Sequence, residues 1–186
     1  MPPKTQVWHL KIWPTPLGPL LLTFTPMGLA RLEFTEGGHH PSAVPGLQTI
    51  PDLDFPPPDI ASRMSEAIRT LADYFAGLPT DFASLPLDLQ GTTFQLKVWE
   101  KLQKIPWGTT ISYQELANRL GKPKAARAVG QANGANPLPI IIPCHRVIAA
   151  DGSLGGYSSG LDRKRWLLRH ESLGGGPGLE TVFGFR

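Results

Sequence analysis

Cysteine is nearly absent from this chain of 186 residues, which contains only Cys144. A single cysteine cannot form an internal disulfide, so the fold does not depend on an oxidising compartment. One thiolate also falls short of a structural zinc site, which needs a larger set of cysteine and histidine ligands. Two roles remain open for Cys144, that of a small buried apolar side chain and that of a reactive thiol.

Long apolar runs are lacking as well. No stretch approaches the roughly 18 apolar residues of a membrane-spanning helix, and the N-terminus has no basic segment followed by an apolar one, the layout of a signal peptide. Charged residues make up 18% of the chain and hydrophobic residues 41%, which is typical of a globular protein rather than a disordered one. We therefore expect a soluble intracellular (cytoplasmic) protein that does not bind membranes.

Charge is divided unevenly along the chain. Residues 1–90 contain five Lys or Arg and nine Asp or Glu, a net charge of −4, whereas residues 91–170 contain twelve basic and four acidic residues, a net charge of +8. Positive charge concentrated in one half is typical of a domain that binds a polyanion such as nucleic acid. Charge alone leaves open the alternative of a solvated basic face without a partner.

Three short β-prone runs open the chain, at Val7–Trp13, Pro19–Phe24 and Leu29–Phe34. A turn signal, Pro26-Met27-Gly28, separates the last two, so the runs predict an antiparallel meander.

The stretch that follows the meander predicts a linker and a helix. Glu36–Pro58 is polar and proline-rich, which indicates a semi-rigid, exposed connection. Apolar residues then recur at helical spacing from Asp59 to Phe75, and Gly77 ends the pattern. Phe82–Leu89 predicts a further strand or an extended link, and we expect a domain boundary near Gly91.

The second half begins with two capping boxes, which predict helix starts. Thr92–Gln95 opens a helix that ends before Pro106, and Ser112–Glu115 opens a short helix that Gly121 stops. Pro123 suits the first turn of the next helix, predicted over Lys124–Ala132. Two helices joined by a short glycine-containing turn have the outline of a helix-turn-helix.

The second of these two helices is built of small residues around one arginine, Arg127. Such a helix can approach a narrow groove of DNA closely, but it offers few donors to read base edges, so we expect little sequence preference. A tight helix-packing face is the alternative, since small residues favour that too. Further along, Leu138–Ile142 predicts a short buried segment that Pro143 stops, and Cys144 follows at its exit.

Together these residues resemble the O6-alkylguanine-DNA alkyltransferase family, whose members take an alkyl group from guanine onto their own cysteine. The similarity covers Thr15–Gly18 and Gly28-Leu29 in the first half and nearly all of residues 92–171. Its most specific stretch runs from Asn136 to Ile148 and contains Pro143-Cys144-His145-Arg146-Val147. Gly155-Gly156-Tyr157 and Lys164–Leu168 extend it.

The resemblance implies an α/β (α+β) fold of two domains. Residues 1–90 would form a small ribonuclease H-like sheet-and-helix domain without chemistry of its own. Residues 91–173 would form a mostly helical domain with the helix-turn-helix and the active-site cysteine, followed by a glycine-rich tail over residues 174–186. Some members bind zinc in the first domain, but His9, His39 and His40 make a weak ligand set, so no metal is expected here.

The resemblance also implies catalytic roles. Cys144 would be the alkyl acceptor, His145 would take the thiol proton through a water, and Glu171 would orient that histidine. Tyr113 would help rotate the target nucleotide out and protonate the departing guanine, and Asn136 would link the DNA-binding helices to the active-site segment. Without the resemblance, Glu171, Tyr113 and Asn136 would be interpreted as a solvated carboxylate, an aromatic staple and a loop residue.

Substrate and DNA contacts follow in the same way. The carbonyls of Val147 and Cys144 would read the guanine amino group, and Tyr157 and Ser158 would line the pocket. Arg127 would enter the duplex and fill the vacated space, as base flipping requires. The remaining positions implied to contact DNA are Ala125, Ala126, Gln114, Lys122 and Phe94. Gly134 stands where some members have a further arginine, which puts one auxiliary DNA contact in doubt.

The function so implied is direct-reversal DNA repair, as a methylated-DNA–protein-cysteine S-methyltransferase that acts once per molecule on double-stranded DNA. No cofactor is expected, since displacement needs only a thiolate, a proton donor and a fixed approach. We expect a monomer, with cooperative DNA binding and activity on O4-alkylthymine left open. One alternative is a non-catalytic alkyltransferase-like lesion-binding protein, which typically has tryptophan in place of the acceptor. A helix-turn-helix regulator, which would need polar base-reading side chains, is the other.

Overall fold

The computed structural model describes residues 5–12, 14–35, 47–49 and 56–173. The chain divides into two compact units, the first made of Met1–Ala76 and Asp81–Gln90 and the second of Gly77–Thr80 and Gly91–Arg186. Within the described ranges it has two small sheets and five α-helices. The predicted mixture of α and β structure is therefore confirmed. The glycine-rich tail, residues 174–186, lies outside the described residues.

The first unit is built on a four-stranded sheet. Its strands are β1 (Thr5–Ile12), β2 (Leu20–Thr25), β3 (Gly28–Phe34) and β4 (Leu47–Thr49), in the order β3-β2-β1-β4. β1 pairs antiparallel with β2, and β2 with β3. The predicted meander is confirmed, because β-prone runs and a two-residue turn are local signals that the tertiary structure does not overrule.

The predicted exposed connection over Glu36–Pro58 is wrong in two places. Leu47–Thr49 forms β4, which pairs in parallel with β1 from Thr5 to Val7. Three residues are too few to show an alternating pattern, and their strand partner lies far away in sequence, so no local signal announces it. Pro58 is the first residue of helix α1 (Pro58–Phe75), where the missing N–H of proline is tolerated. Residues 36–46 and 50–55 lie outside the described residues.

The segment after α1 is an extended link with a single bridge, between Leu29 and Leu87. Gly28 allows this contact, since a Cβ there would come within 2.2 Å of the Pro86 carbonyl oxygen. The Leu29 N–H donates to that oxygen at 2.9 Å. The link thus adds to the edge of the sheet in the first unit.

The second unit contains four helices and two very short strands. They are α2 (Thr93–Gln103), β5 (Ile111–Ser112), α3 (Tyr113–Arg119), α4 (Ala126–Gly134), β6 (Val147–Ile148) and α5 (Leu161–Leu173). Both predicted helix starts are confirmed. Thr92 and Gln95 form a reciprocal capping box, and the Ser112 hydroxyl accepts the Glu115 N–H at 3.0 Å.

The predicted bounds of the helix that carries Arg127 are wrong at both ends. α4 starts at Ala126 rather than in the turn after Pro123. The Pro123 carbonyl accepts the Gln114 amide, and the first backbone bond of the helix runs from the Val129 N–H to the Ala125 carbonyl. The helix continues through Gly134, a residue with poor intrinsic helix propensity. Trp99 of α2 donates its indole N–H to the Ala132 carbonyl at 2.9 Å. Tertiary contact therefore keeps the last turn helical where sequence predicts a break.

The apolar segment Leu138–Ile142 is buried, as predicted, but it is a series of turns. The Ile142 N–H donates to the Leu138 carbonyl at 2.8 Å. Ile140 has a φ of 74°, the one positive value among the described residues other than glycine. Such a value is strained for a β-branched side chain and persists only where surrounding structure imposes it. This constrained segment leads directly to Cys144.

No helix in the described part of the chain has both the length and the apolar character to cross a lipid bilayer.

Candidate active site

Cys144 lies in a tight turn that removes it from solvent. Pro143 has φ −78° and ψ 62°, the values of an inverse γ-turn, and the Cys144 N–H donates across it to the Ile142 carbonyl at 2.7 Å. Cys144–Arg146 then forms one turn of 3₁₀-helix before β6. The thiol is buried, with only 2% of the residue exposed. Burial raises the pKa of the Cys144 thiol, although Asn136 and Lys164 act to lower it.

His145 and Glu171 form a buried pair beside this turn. The distance from His145 Nε2 to Glu171 Oε1 is 2.7 Å, and the side chains are 0% and 1% exposed. His145 Nδ1 is buried and has no hydrogen-bond partner among the described residues. Burial lowers the pKa of His145, so the ring is neutral and donates Nε2–H to the carboxylate. Nδ1 is then a free acceptor.

Arg146 was not singled out by the sequence analysis, yet it completes this network. Its Nε donates to Glu171 Oε2 at 2.8 Å and one terminal nitrogen donates to Oε1 at 3.0 Å. The other terminal nitrogen donates to the Ile105 carbonyl at 2.5 Å. Burial opposes ionisation of Glu171, but His145 and the Arg146 guanidinium outweigh it and hold the pKa of Glu171 well below its usual value. The carboxylate therefore stays charged.

Lys164 is a second buried cation that sequence reasoning did not assign. It is 0% exposed, and its ammonium donates to the carbonyls of Val147, Leu154 and Gly156 at 2.7, 2.5 and 3.2 Å. Burial lowers the pKa of Lys164 to about 8. Arg146 had one available signal, because a charged side chain within a largely apolar motif must find partners inside the fold. The sequence does not say which partners. Lys164 had no such signal, since Arg163 and Arg165 flank it.

Two asparagines hold the carbonyls on either side of Pro143. Asn136 donates from Nδ2 to the Ile142 carbonyl at 2.7 Å and accepts the Leu138 N–H at 3.0 Å. Asn133, the first residue after the predicted helix Lys124–Ala132, donates to the Cys144 carbonyl at 3.3 Å. The Cys144 carbonyl also accepts the Val147 N–H. The carbonyls of Cys144 and Val147 were predicted to read guanine. The Cys144 carbonyl already accepts two hydrogen bonds, and the Val147 carbonyl accepts one from the Lys164 ammonium.

Two tyrosines complete the surroundings of the cysteine. Tyr113 is half-buried, and a Cβ added at Gly155, where φ is 65°, would lie 3.0 Å from the tyrosine hydroxyl. Burial raises the pKa of Tyr113 and, more strongly, that of Tyr157, and the neighbouring Cys144 acts in the same direction on both. Both phenols are therefore protonated at neutral pH and can donate a proton. Ser158 is exposed.

The predicted DNA-contacting residues lie on α2, α3 and α4 and in the segment between α3 and α4. Arg127 is exposed on α4, and Ala125 and Ala126 are half-buried at its start. The remaining three residues, Gln114, Lys122 and Phe94, make contacts within the second unit. Gln114 donates to the Pro123 carbonyl at 2.6 Å, and the Lys122 ammonium lies 5.6 Å from the centre of the Phe94 ring.

A metal site is not formed within the described residues, where no three His, Cys, Asp or Glu side chains are grouped to hold an ion. Of the three histidines considered for zinc, His9 lies on β1 with Nδ1 3.1 Å from the Thr23 hydroxyl. His39 and His40 lie outside the described residues.

Comparison with known proteins identifies the family. The model of the 6-O-methylguanine DNA methyltransferase DNA-binding domain matches residues 93–173. The methylated-DNA–protein-cysteine methyltransferase of Mycobacterium bovis is 45% identical over 163 residues, which cover 88% of this chain and 92% of that protein. The crystal structure of Mycobacterium tuberculosis O6-methylguanine methyltransferase superposes with a TM-score of 0.74 at 42% identity, covering 94% of this chain and 98% of that one. For Mycobacterium tuberculosis OGT in complex with DNA the TM-score is 0.72 at 40% identity, with 96% and 99% covered. With its one cysteine held beside a buried histidine and carboxylate, this chain belongs to the methylated-DNA–protein-cysteine methyltransferase family.

Proposed function

We propose that this protein removes the alkyl group from O6-alkylguanine in double-stranded DNA by transferring it irreversibly to the sulfur of Cys144. The observation that carries the proposal is the buried thiol next to a neutral His145 whose Nδ1 is free to accept a proton. Each molecule acts once, because the thioether formed at Cys144 has no route back to a thiol. The lesion-binding and regulator alternatives need neither this cysteine nor this base.

The reaction is a displacement at the alkyl carbon. The thiol proton passes to His145 Nδ1 through a water, and the thiolate attacks the carbon bonded to guanine O6. An S–C bond forms as the C–O bond breaks, and the electron pair of that bond moves into the guanine ring. Tyr113 donates a proton to the departing base, and the proton held by His145 restores the phenol. No metal or cofactor takes part, since these groups balance every proton and electron pair.

The carboxylate network prepares His145 for this step. Ionised Glu171 accepts the Nε2–H at 2.7 Å, which fixes the tautomer that leaves Nδ1 unprotonated. Arg146 holds both carboxylate oxygens and so fixes the carboxylate plane. The positive charge of Lys164 acts to lower the pKa of the thiol, which favours the thiolate when the proton leaves. Asn136 positions the segment through Ile142.

DNA binding falls to the surface of the second unit. α3 and α4 would act as the helix-turn-helix, with small residues of α4 facing a minor groove and Arg127 entering the duplex in place of the flipped nucleotide. Phe94, Gln114 and Lys122 would contact the backbone, giving salt-dependent binding with little sequence preference. The carbonyl of Val147, with Tyr157 and Ser158, would line the base pocket.

The two halves of the chain would have different roles. Residues 1–90 would be a ribonuclease H-like supporting domain, and residues 91–173 the DNA-binding and acceptor domain. A monomer is the form proposed, since one set of site residues lies within a single chain. Its substrate places it in the compartment that holds the cell's DNA.

Intact-protein mass spectrometry tests the proposed function. After incubation with a duplex that contains one O6-methylguanine, the protein should gain the mass of one methyl group, located on Cys144 by peptide mapping. The guanine should be restored in the recovered DNA. Tight lesion binding without a mass change would contradict the proposal and identify a non-catalytic lesion-binding protein instead.

Replacing Arg127 separates base flipping from chemistry. Arg127→Ala should slow transfer from duplex DNA roughly ten- to a hundred-fold, because the vacated position in the stack is no longer filled and unstacking costs a few kcal/mol. Transfer from free O6-benzylguanine base should hardly change. Single-turnover rates measure both reactions. Arg169→Ala, which removes an exposed arginine on α5, is the control for charge. Equal losses with duplex and free base would remove the flipping role.

The pH dependence of transfer reports on His145. Its neutral form is the acceptor, and burial places its pKa below the ordinary 6.5. The single-turnover rate at saturating duplex should therefore stay level as pH falls through 6.5 and decline only at lower pH. Over the same window the unfolded chain binds a proton that the folded chain does not, so stability should fall with decreasing pH. A rate inflection at 6.5 would show an ordinary histidine and contradict this assignment.

A further inference from the structure

Asn133 lies in the last turn of α4, and Asn136 lies two residues beyond the end of that helix. The Asn136 N–H donates to the Asn133 carbonyl at 3.3 Å, so a turn connects the two residues. They hold carbonyls two residues apart, since Asn136 donates to Ile142 and Asn133 to Cys144. Asn136 is the first residue of the motif Asn136–Ile148 that this chain shares with the family, whereas Asn133 lies before that motif. Both contacts converge on the peptide units around Pro143, which has no N–H of its own to stabilise the turn.

The two carbonyls are held in the same manner. Ile142 accepts a backbone N–H, that of Cys144, in addition to the Asn136 amide. Cys144 accepts the Val147 N–H in addition to the Asn133 amide. A carbonyl oxygen has two lone pairs, so each of these oxygens has two donors and a defined orientation. The orientation of the Cys144 peptide in turn directs the Cα–Cβ bond and the thiol.

The amide orientation of Asn133 follows from its surroundings. Its Nδ2 faces the Cys144 oxygen at 3.3 Å, and a flipped amide would place two acceptors against each other. Its Oδ1 is consequently buried without a hydrogen-bond partner among the described residues. Asn133 is only 3% exposed and keeps one unpaired acceptor. Burying an unpaired polar atom opposes folding, so this atom lowers the stability of the fold. The favourable part of its geometry is the bond to Cys144.

We propose that Asn133 is a positioning residue for the acceptor, which holds the Cys144 peptide in line with the end of α4 and so aims the thiol at the alkyl carbon. The inference rests on the proposed function of Cys144. The helix end that carries Asn133 is itself fixed, because Trp99 of α2 donates to the adjacent Ala132 carbonyl at 2.9 Å. α4 thus joins the arginine that faces DNA, Arg127, to the peptide of the reacting cysteine.

Asn133→Leu provides the test. Leucine has a similar shape, removes the donor and removes the unpaired Oδ1 at the same time, so folding should be retained. The maximal single-turnover rate should fall roughly ten- to a hundred-fold, as expected when a reacting group is slightly misaligned. The fall should be equal with duplex O6-methylguanine and with free O6-benzylguanine, and the DNA concentration at half-maximal rate should stay unchanged. Gln131→Leu makes a similar amide-to-leucine change on the exposed side of α4 and is the matched control. Its rate with free O6-benzylguanine should stay unchanged.

Three results would overturn the positioning role. They are an unchanged maximal rate in folded Asn133→Leu, a loss confined to DNA affinity, and a rate that rises. The last would mean that Asn133 competes with the guanine amino group for the Cys144 carbonyl. The rate of Cys144 alkylation by iodoacetamide, which needs no lesion, should also fall in Asn133→Leu. If the wild-type protein fails to demethylate DNA, the proposed function fails, while the iodoacetamide rate still decides whether Asn133 positions the thiol.

Discussion

Cys144→Ala is expected to abolish alkyl transfer while lesion binding remains. The substitution removes the single thiol of the chain, and no other side chain in the described ranges offers a comparable nucleophile next to a neutral base. The turn should persist, because it is held through backbone atoms of Ile142 and Cys144 that alanine retains. Loss of one small buried group costs about 1 kcal/mol of stability, too little to unfold a domain.

Two measurements on the same lesion duplex check this expectation. Mass spectrometry follows methyl transfer, and fluorescence anisotropy compares binding to O6-methylguanine and to unmodified duplex. Cys144→Ser is the matched variant: it keeps a polar group of similar size, but its hydroxyl is a far weaker nucleophile than a thiolate. Methyl transfer by either variant would place the acceptor elsewhere in the chain. If both variants fail to fold, peptide mapping of the methylated residue in the wild-type protein decides the assignment.

Glu171→Gln is expected to reduce both transfer rate and stability. Glutamine has one amide oxygen and one NH₂ group, so it cannot accept hydrogen bonds from His145 and Arg146 with both polar atoms. The histidine tautomer is then no longer fixed. Loss of a positioned base costs roughly 10²- to 10⁴-fold in rate. Arg146 would remain as a buried cation without its counter-charge, which destabilises a fold by about 3–5 kcal/mol. Single-turnover kinetics and urea unfolding measure the two effects. Glu100→Gln, at an exposed ion pair with Lys104 on α2, should change neither.

A double variant separates the two effects of Glu171. Arg146→Met with Glu171→Leu removes both buried charges together, and replacement of a buried ion pair by apolar side chains is often neutral or stabilising. Stability should therefore recover relative to Glu171→Gln, whereas transfer should stay slow because His145 has lost its acceptor. Recovery of both properties would mean that Glu171 serves only to neutralise Arg146. The proposed orientation of His145 would then be wrong.

Local signals predicted the parts of the fold whose causes are local. The starts of α2 and α3 follow from capping side chains three residues from their partners, and the meander follows from β-prone runs and a short turn. β4 had no such signal, because Leu47–Thr49 becomes a strand only by pairing with β1. The end of α4 was mispredicted for the same reason, since the contact from Trp99 outweighs the propensity of Gly134.

The amino-acid sequence by itself determined the chemistry available to this protein: one thiol, a histidine directly after it, and a motif that identified the family. The tertiary structure alone decided how that chemistry is arranged. Glu171 lies 26 residues from His145, and only the fold brings the two within 2.7 Å. The partners of Arg146 and Lys164 and the role proposed for Asn133 depend equally on contacts between distant segments. Burial explains the difference: a charged or amide group must be satisfied once water is removed, but which neighbour satisfies it is a property of the packed chain.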